Sequence, residues 1–428
     1  MIARGGRDAG LQRGIGAFAL AAGVVNVVIG AGIFSLPAGM ARAAGPYALL
    51  AYLLCALVMA AVVLCFAEAG SRVPTSGGTY GYIEAAFGPL AGFVAGVLLW
   101  LSCVLAAGGI AVACADALAR LVPALASPLG HALTILALLG ALAAVNLRGV
   151  TPAARLVAAT TVIKLVPLIL FVAVGSLFLD PAKLSAGAQP DAAGIGRAIL
   201  LSLFAFQGME TTLSASGEVA NPARALPRGL VAAMAFTALV YIAIQLVAQG
   251  LLGAALQGST APLADAMATI DPRLGTVLVV GTALSMAGYL AGDVLGAPRV
   301  LFAFARDGFL PRRLAVLSPR GQVPAAAILT HVAIAAFLAV TGTFETLVVL
   351  SVLSACALYA GGCAAAWRLR RADVAEAGPP LRLPLLGLWV GLGVISMVCV
   401  IALARWVEIG ALAGEILVSA LLYRLARR

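Results

Sequence analysis

Twelve stretches of the chain are almost wholly apolar, and short polar breaks separate them. They run over residues 16–40, 45–70, 88–118, 128–146, 151–179, 193–217, 229–253, 272–305, 322–341, 344–367, 383–404 and 407–423. Each has about 18 residues or more, the length at which a helix crosses ~30 Å of hydrocarbon, and none reads as a ten-residue alternating strand. The pattern predicts an all-α polytopic membrane protein with 12 transmembrane helices. The longest polar stretches, 71–87, 218–228, 254–271, 306–321 and 368–382, are expected to be loops or short surface helices. Helices joined this tightly predict a single transmembrane domain over 1–428. The apolar run after the basic first dozen residues is followed by many more, so it does not read as a cleavable signal peptide.

Composition agrees with this pattern. Of 428 residues, 63% are hydrophobic and 10% charged, against about a quarter charged in soluble domains. A soluble core cannot absorb so much apolar surface, and a disordered chain would be charge-rich. The excess of 27 basic over 17 acidic residues invites a nucleic-acid reading, but its distribution argues otherwise. With the N-terminus in the cytoplasm, 19 of the 27 basic residues fall on the cytoplasmic side and six outside; Lys164 and Arg299 lie within spans. That is the positive-inside asymmetry, so both termini are expected in the cytoplasm of an inner or plasma membrane, with the lipid bilayer and no nucleic acid as partner.

All seven cysteines lie in apolar stretches and read as packing residues rather than a disulfide framework. His131 and His331 are 200 residues apart without metal-ligand spacing, and each is expected in a structural or interfacial role. No cofactor is implied. A membrane-embedded enzyme would need a nucleophile–base pair or a metal cluster such as His-Glu-x-x-His, which the chain lacks. A channel would carry rings of like charge or a filter repeat, also lacking.

Two predicted helices look interrupted. The first holds Asn26, then Gly30-Ala31-Gly32-Ile33-Phe34, then Pro37 and Gly39. The sixth holds Ala205-Phe206-Gln207-Gly208-Met209-Glu210. Mid-helix glycine costs ~1 kcal/mol relative to alanine, and an unwound turn in lipid exposes unpaired backbone groups. Such a break survives only where protein buries it or it lines a cavity. Taken alone, the first motif reads equally well as a small-residue packing face. The spacing favours a break, because five spans (16–179) precede five comparable ones (193–367) and the interruptions fall at corresponding places. An odd number of spans per repeat inverts one half relative to the other. Half-helix ends then meet near the midplane, with amides aimed at an anion and carbonyls at a cation. A zwitterionic α-amino acid matches that arrangement.

Further motifs follow in order: Glu68-Ala69-Gly70-Ser71-Arg72-Val73-Pro74 with Ser76-Gly77-Gly78-Thr79-Tyr80, Asn146-Leu147-Arg148-Gly149-Val150, Glu218-Val219-Ala220-Asn221-Pro222-Ala223-Arg224, and Ala297-Pro298-Arg299 with Ala305-Arg306-Asp307-Gly308-Phe309-Leu310-Pro311. With the two glycine motifs, these resemble the amino acid–polyamine–organocation (APC) superfamily of secondary transporters over essentially the whole chain. Ala31 stands where that family usually has serine. The resemblance implies the leucine-transporter-like fold, a 5+5 inverted repeat with broken helices 1 and 6 plus two peripheral helices (383–423), working by alternating access. It also implies carboxylate capture by amides around Ala31, Gly32 and Ile33. The substrate amine would be held by carbonyls near Val28, Ile29, Ala205, Phe206 and Gln207. Trp100-Leu101-Ser102-Cys103 resembles the pocket-lining turn of helix 3, which brings small side chains at Cys103, Ala107 and Ile110 towards the substrate.

Ionisable groups inside spans are functional candidates by default. Lys164 lies mid-span, too deep to snorkel easily. It reads either as a tie from helix 5 to carbonyls of the broken helix 1 or as a proton site, since burial penalises a charged ammonium. Sodium-independent permeases of the resembled family carry a lysine here. Glu210 falls at the helix-6 break, as a gating or proton-carrying group or as a cap for freed amides. Asp293 takes a helix-8 position that resembles a pocket-lining aromatic of the arginine/agmatine exchangers, whose helix-6 aromatic corresponds to Phe204. Facing the pocket, Asp293 would favour a cationic substrate; alternatively it is protonated, or paired with Lys164 or Arg299. Asp116 and Arg120, four residues apart, read as a rim ion pair. Arg299, Arg306 and Asp307 read as an inner-end gate or anchor. The expectation is a proton-coupled, sodium-independent amino acid permease, monomeric or homodimeric. An amino acid or polyamine exchanger and a non-transporting receptor on the same fold are the alternatives.

Overall fold

The computed structural model describes residues 16–30, 32–74, 78–185, 190–213, 219–318, 323–376 and 378–426, with the backbone alone at 150–155, 157–158 and 161–163. In chain order the α-helices are α1 (Ala17–Val28), α2 (Gly32–Ala44), α3 (Ala48–Arg72), α4 (Gly78–Phe87), α5 (Pro89–Leu121), α6 (Pro128–Leu147), α7 (Val150–Gly175), α8 (Ala192–Phe206) and α9 (Met209–Leu213). They continue as α10 (Pro222–Leu252), α11 (Pro262–Ala268), α12 (Pro272–Gly296), α13 (Pro298–Arg306), α14 (Ala325–Thr341), α15 (Phe344–Arg371), α16 (Leu386–Ala402) and α17 (Trp406–Ala426). Among the described residues no β-strand occurs. Within the described residues, eight helical segments are long and apolar enough to cross a membrane by length and composition, and four other apolar helices are shorter. The first of the eight, Gly32–Arg72, joins two apolar stretches of the sequence through a 3-10 turn at Gly45–Tyr47.

Several starts follow from local chemistry. Proline occupies the first position of α5, α6, α10, α11 and α12, where its missing N–H removes no intrahelical bond. Ser127 caps α6 by accepting from Gly130 N at 3.1 Å, and Asp191 caps α8 by accepting from Gly194 N at 2.7 Å. Asn221 adopts φ 49° before Pro222, so α10 begins inside a stretch expected to be loop. Likewise the expected loop 71–87 contains α4, whose Thr79, Tyr82 and Ile83 are buried against α5 and α15 rather than lying on the surface.

α5 is the hub, packed against α15, α12, α4 and α14. Small residues let the backbones approach, as membrane helices without a hydrophobic drive between them require. A Cβ on Gly362 of α15 would lie 2.3 Å from Phe66 of α3; on Gly288 of α12 it would lie 2.7 Å from Thr160 of α7. At the far end of α3, Glu68 and Arg72 are both fully buried. Glu68 Oε1 accepts from Arg72 Nη2 at 3.0 Å and forms an ion pair with Arg370 Nε at 3.0 Å, while its Oε2 accepts from Leu383 N at 3.0 Å. Arg72 in turn donates to Val374 O at 3.1 Å. The α15–α16 connection is thereby tied across the end of α3.

The rim pair expected within α5 does not form. Arg120 binds Asp265 and Thr260 beyond α10, and Asp116 takes His131 at 3.0 Å. Asp265 offers Arg120 both carboxylate oxygens, which suits the guanidinium fork better than a neighbour on the same helix.

Candidate functional site

At the first interruption α1 stops at Val28 and α2 begins at Gly32. Ile29 N–H returns to Val25 O at 2.9 Å and Gly30 N–H to Val28 O at 2.7 Å, so the chain tightens and leaves the helix. The carbonyls freed by this exit are met from neighbouring helices. Tyr241 of α10 donates to Val28 O at 2.6 Å, and Lys164 Nζ of α7 donates to Asn26 O. Lys164 is buried, and this bond is the helix-5 to helix-1 tie that its sequence position allowed. A carbonyl oxygen has two lone pairs, so the oxygen of Val28, expected to hold an amine, is fully engaged in this conformation. Across the gap, the amides of Gly32, Ile33 and Phe34 open α2 with no backbone partner outside the helix among the described residues. Ala31 lies outside the described residues.

The second interruption separates α8, ending at Phe206, from α9, beginning at Met209. Gly208 turns the chain with φ 123°. Its N–H donates to Glu210 Oε2 at 3.0 Å, and Tyr359 of α15 donates to the same oxygen at 2.6 Å. The buried carboxylate thus caps the break. Gln207 N–H returns to Phe204 O at 3.3 Å, and its side-chain Nε2 donates to Ser351 Oγ at 3.0 Å. Ser351 gives its own hydrogen to Ser102 O at 2.7 Å, so it must accept from Gln207. That fixes the amide orientation and leaves Gln207 Oε1 buried without a partner among the described residues.

The two interruptions touch. A Cβ on Gly208 would lie 2.9 Å from Val27, and one on Gly32 would lie 3.0 Å from Phe204. A Cβ on Gly30 would lie 2.9 Å from Tyr289 of α12. Phe204 meets Phe344 edge-on at 6.3 Å, and Phe206 meets Tyr241 at 5.3 Å. Ala205 is buried between these two aromatics in sequence. On α5 the buried residues Cys103, Ala107 and Ile110 share a face with Cys114, whose thiol reaches Ala283 O of α12 at 3.7 Å. This stripe of small side chains therefore runs along α12.

Asp293, on the same helix, has neither Lys164 nor Arg299 as its partner. Its Oδ2 meets His331 Nε2 of α14 at 2.7 Å, and Trp100 Nε1 of α5 donates to His331 Nδ1 at 3.2 Å. Glu210 caps, Lys164 ties, and Asp293 belongs to a buried triad. Tyr241, Tyr359 and Ser351 carry no signal in the sequence, and His331, expected in a structural role, gains its partners only here. Each is a polar residue in an apolar helix, and only the partner across the bundle gives it meaning.

A sequence profile of the family described as "Amino acid permease" matches residues 15–415. The chain is 34% identical over 366 residues to an uncharacterised transporter of Mycobacterium tuberculosis, covering 84% of this chain and 80% of that protein. It is 30% identical over 332 residues to the branched-chain amino acid permease BcaP of Lactococcus lactis, covering 72% and 71% respectively. It is also 30% identical over 339 residues to the serine/threonine exchanger SteT of Bacillus subtilis, covering 77% and 76%.

Proposed function

This chain belongs to the amino acid permease family, a family of multi-pass membrane transporters rather than enzymes, and we propose that its two touching helix interruptions hold the substrate. Amino acid transport is the activity that this membership and the named relatives support. The observation that carries the site assignment is the contact of Gly208 with Val27 and of Gly32 with Phe204, which sets the open amides of α2 beside the turn at Gln207. Unpaired amides at a helix start attract a carboxylate. The unpaired Gln207 Oε1 is an acceptor suited to the α-amine. In this reading Val28, Ile29, Ala31, Gly32 and Ile33 form one wall, Phe204 to Gln207 the other, and Cys103, Ala107 and Ile110 the floor of small side chains.

The placement of the interruptions supports two inverted repeats, about 16–179 and 193–367, with α16 and α17 peripheral, all in one transport domain. The basic-residue asymmetry supports cytoplasmic termini. Lys164, bound to a carbonyl of α1, is the proposed proton-coupling residue: a proton leaving its ammonium weakens the tie that holds α1 in place. Glu210 is the proposed gate, since its carboxylate links the break to α15 through Tyr359. Asp293 supports a preference for cationic amino acids.

Counterflow of a labelled amino acid panel in proteoliposomes tests the reading; accumulation driven by unlabelled substrate inside is the expected result, and its absence for every amino acid would refute transport. Uptake with and without an imposed pH gradient then separates coupling from exchange. Lys164→Gln is expected to abolish the response to that gradient; full pH-dependent uptake in this variant would remove Lys164 from the mechanism.

A further inference from the structure

Trp100, His331 and Asp293 come from three helices, α5, α14 and α12, and meet in the interior. The His331 side chain is fully buried, and that of Asp293 is 4% exposed. Indole Nε1–H is only a donor, so the lone pair it meets on His331 Nδ1 must be free. The imidazole hydrogen therefore sits on Nε2 and points at Asp293 Oδ2, 2.7 Å away. Trp100 thus selects the tautomer in which His331 donates to the carboxylate, and both rings fix its direction. The other carboxylate oxygen, Oδ1, has no hydrogen-bond partner among the described residues and is not among the fully enclosed unpaired atoms.

The triad lies close to the two interruptions. Tyr289, which closes on Gly30, precedes Asp293 by four residues of α12, just over one turn and about 6 Å along the axis. Trp100 precedes Cys103 by nearly one turn of α5. Both Tyr289 and Cys103 lie within electrostatic reach of Asp293 and of Glu210. Glu210 Oε2 is already taken by Gly208 and Tyr359, and Lys164 is held at Asn26 O. Asp293 Oδ1 therefore remains as an acceptor for a cation one turn away from the proposed carboxylate and amine contacts. A side chain of three or four methylenes ending in an ammonium spans that offset.

We propose that His331 and Trp100 are positioning residues that hold Asp293 as the counter-ion for a second amino group on the substrate, so that this trio sets selectivity for ornithine- or lysine-like molecules over apolar chains of equal length. This rests on the transport reading above and deepens its site. The role is one of orientation: neither ring touches the substrate, but without Trp100 the hydrogen can move to Nδ1 and leave Nε2 an acceptor facing a carboxylate.

Proteoliposome uptake of lysine and norleucine, which share a carbon skeleton and differ by the terminal amine, tests this. Wild-type protein is expected to favour lysine. Asp293→Asn and His331→Leu should lower the lysine-to-norleucine ratio of kcat/KM by about tenfold or more, mainly through KM. His331→Gln, whose amide N–H can still donate, should restore most of the ratio, and Trp100→Phe should fall between. Norleucine taken as well as lysine by the wild type, or an unchanged ratio in His331→Leu, would overturn the proposal. Counterflow failing for every amino acid would instead overturn the transport reading and this proposal with it. A measurement independent of transport uses the chain's two histidines. In 15N-histidine-labelled protein carrying His131→Asn, the remaining ring should show Nε2–H with unprotonated Nδ1; an Nδ1–H ring would refute the positioning role even if the His331 variants fail to fold.

Discussion

Gly208 carries two constraints at once, a φ of 123° that side chains with a Cβ rarely adopt and a wall at Val27 only 2.9 Å from where that Cβ would lie. Strain of this kind costs roughly 1–3 kcal/mol, and overpacking adds a similar amount. Gly208→Ala is therefore expected to lower the melting temperature of the purified protein and to erase any substrate-induced rise in it; an unaltered melting curve would show that the turn tolerates a side chain. The glycine itself was legible in the sequence as a helix interruption. The wall was not, because Val27 lies far away in the chain and reaches Gly208 only once α1 and α9 pack. The same holds for Asp293: an acidic residue in an apolar stretch announces itself, but His331 as its partner, rather than Lys164 or Arg299, follows from the rotation of α14 about its axis.

The helices were legible where caps and prolines mark them, and less so where polar residues continue a helix. Arg224 and Arg228 belong to the first turns of α10, although their polarity read as loop. The tie across the end of α3 is a feature of this scale. Glu68 answers two guanidinium groups, Arg72 and Arg370, and a backbone amide at Leu383, with no exposure of its side chain. Removing one member of a buried ion pair leaves an uncompensated charge and costs about 3–5 kcal/mol. Glu68→Gln should accordingly reduce folded yield sharply and make the α15–α16 connection susceptible to limited proteolysis in detergent. Wild-type proteolysis and yield in this variant would mean that Arg72 finds its counter-charge elsewhere. The motif Glu68-Ala69-Gly70-Ser71-Arg72 was visible as a unit; that it clamps a segment some 300 residues on was not.

Across the whole molecule, strong and weak electrostatic contacts are distributed unequally. The buried clamp at one end of α3 contrasts with pairs that solvent reaches at the opposite end, the exposed Arg42 with Glu345 at 3.5 Å and the half-buried Arg120 with Asp265. Exposed pairs contribute about 0–1 kcal/mol. Glu345→Gln combined with Asp265→Asn should thus shift the melting temperature far less than Glu68→Gln alone, and an equal loss would refute this ranking. Orientation is tested at the same scale: reporters that fold only in the cytoplasm should be active when fused to either terminus. The sequence by itself determined the solvent, because 63% hydrophobic residues in helix-length runs suit only a bilayer. It also pointed to where helices break, because two interruptions at corresponding places in the halves favour a break over a packing face. Tertiary structure alone decided which groups meet. Val28 O receives Tyr241, Glu210 receives Tyr359, Gln207 is turned by Ser351, and Asp293 is held by His331 and Trp100. Hydrophobic periodicity records which environment a helix enters, whereas a hydrogen bond across the bundle depends on the rotation and depth of two helices, which packing of small residues sets and no local pattern encodes.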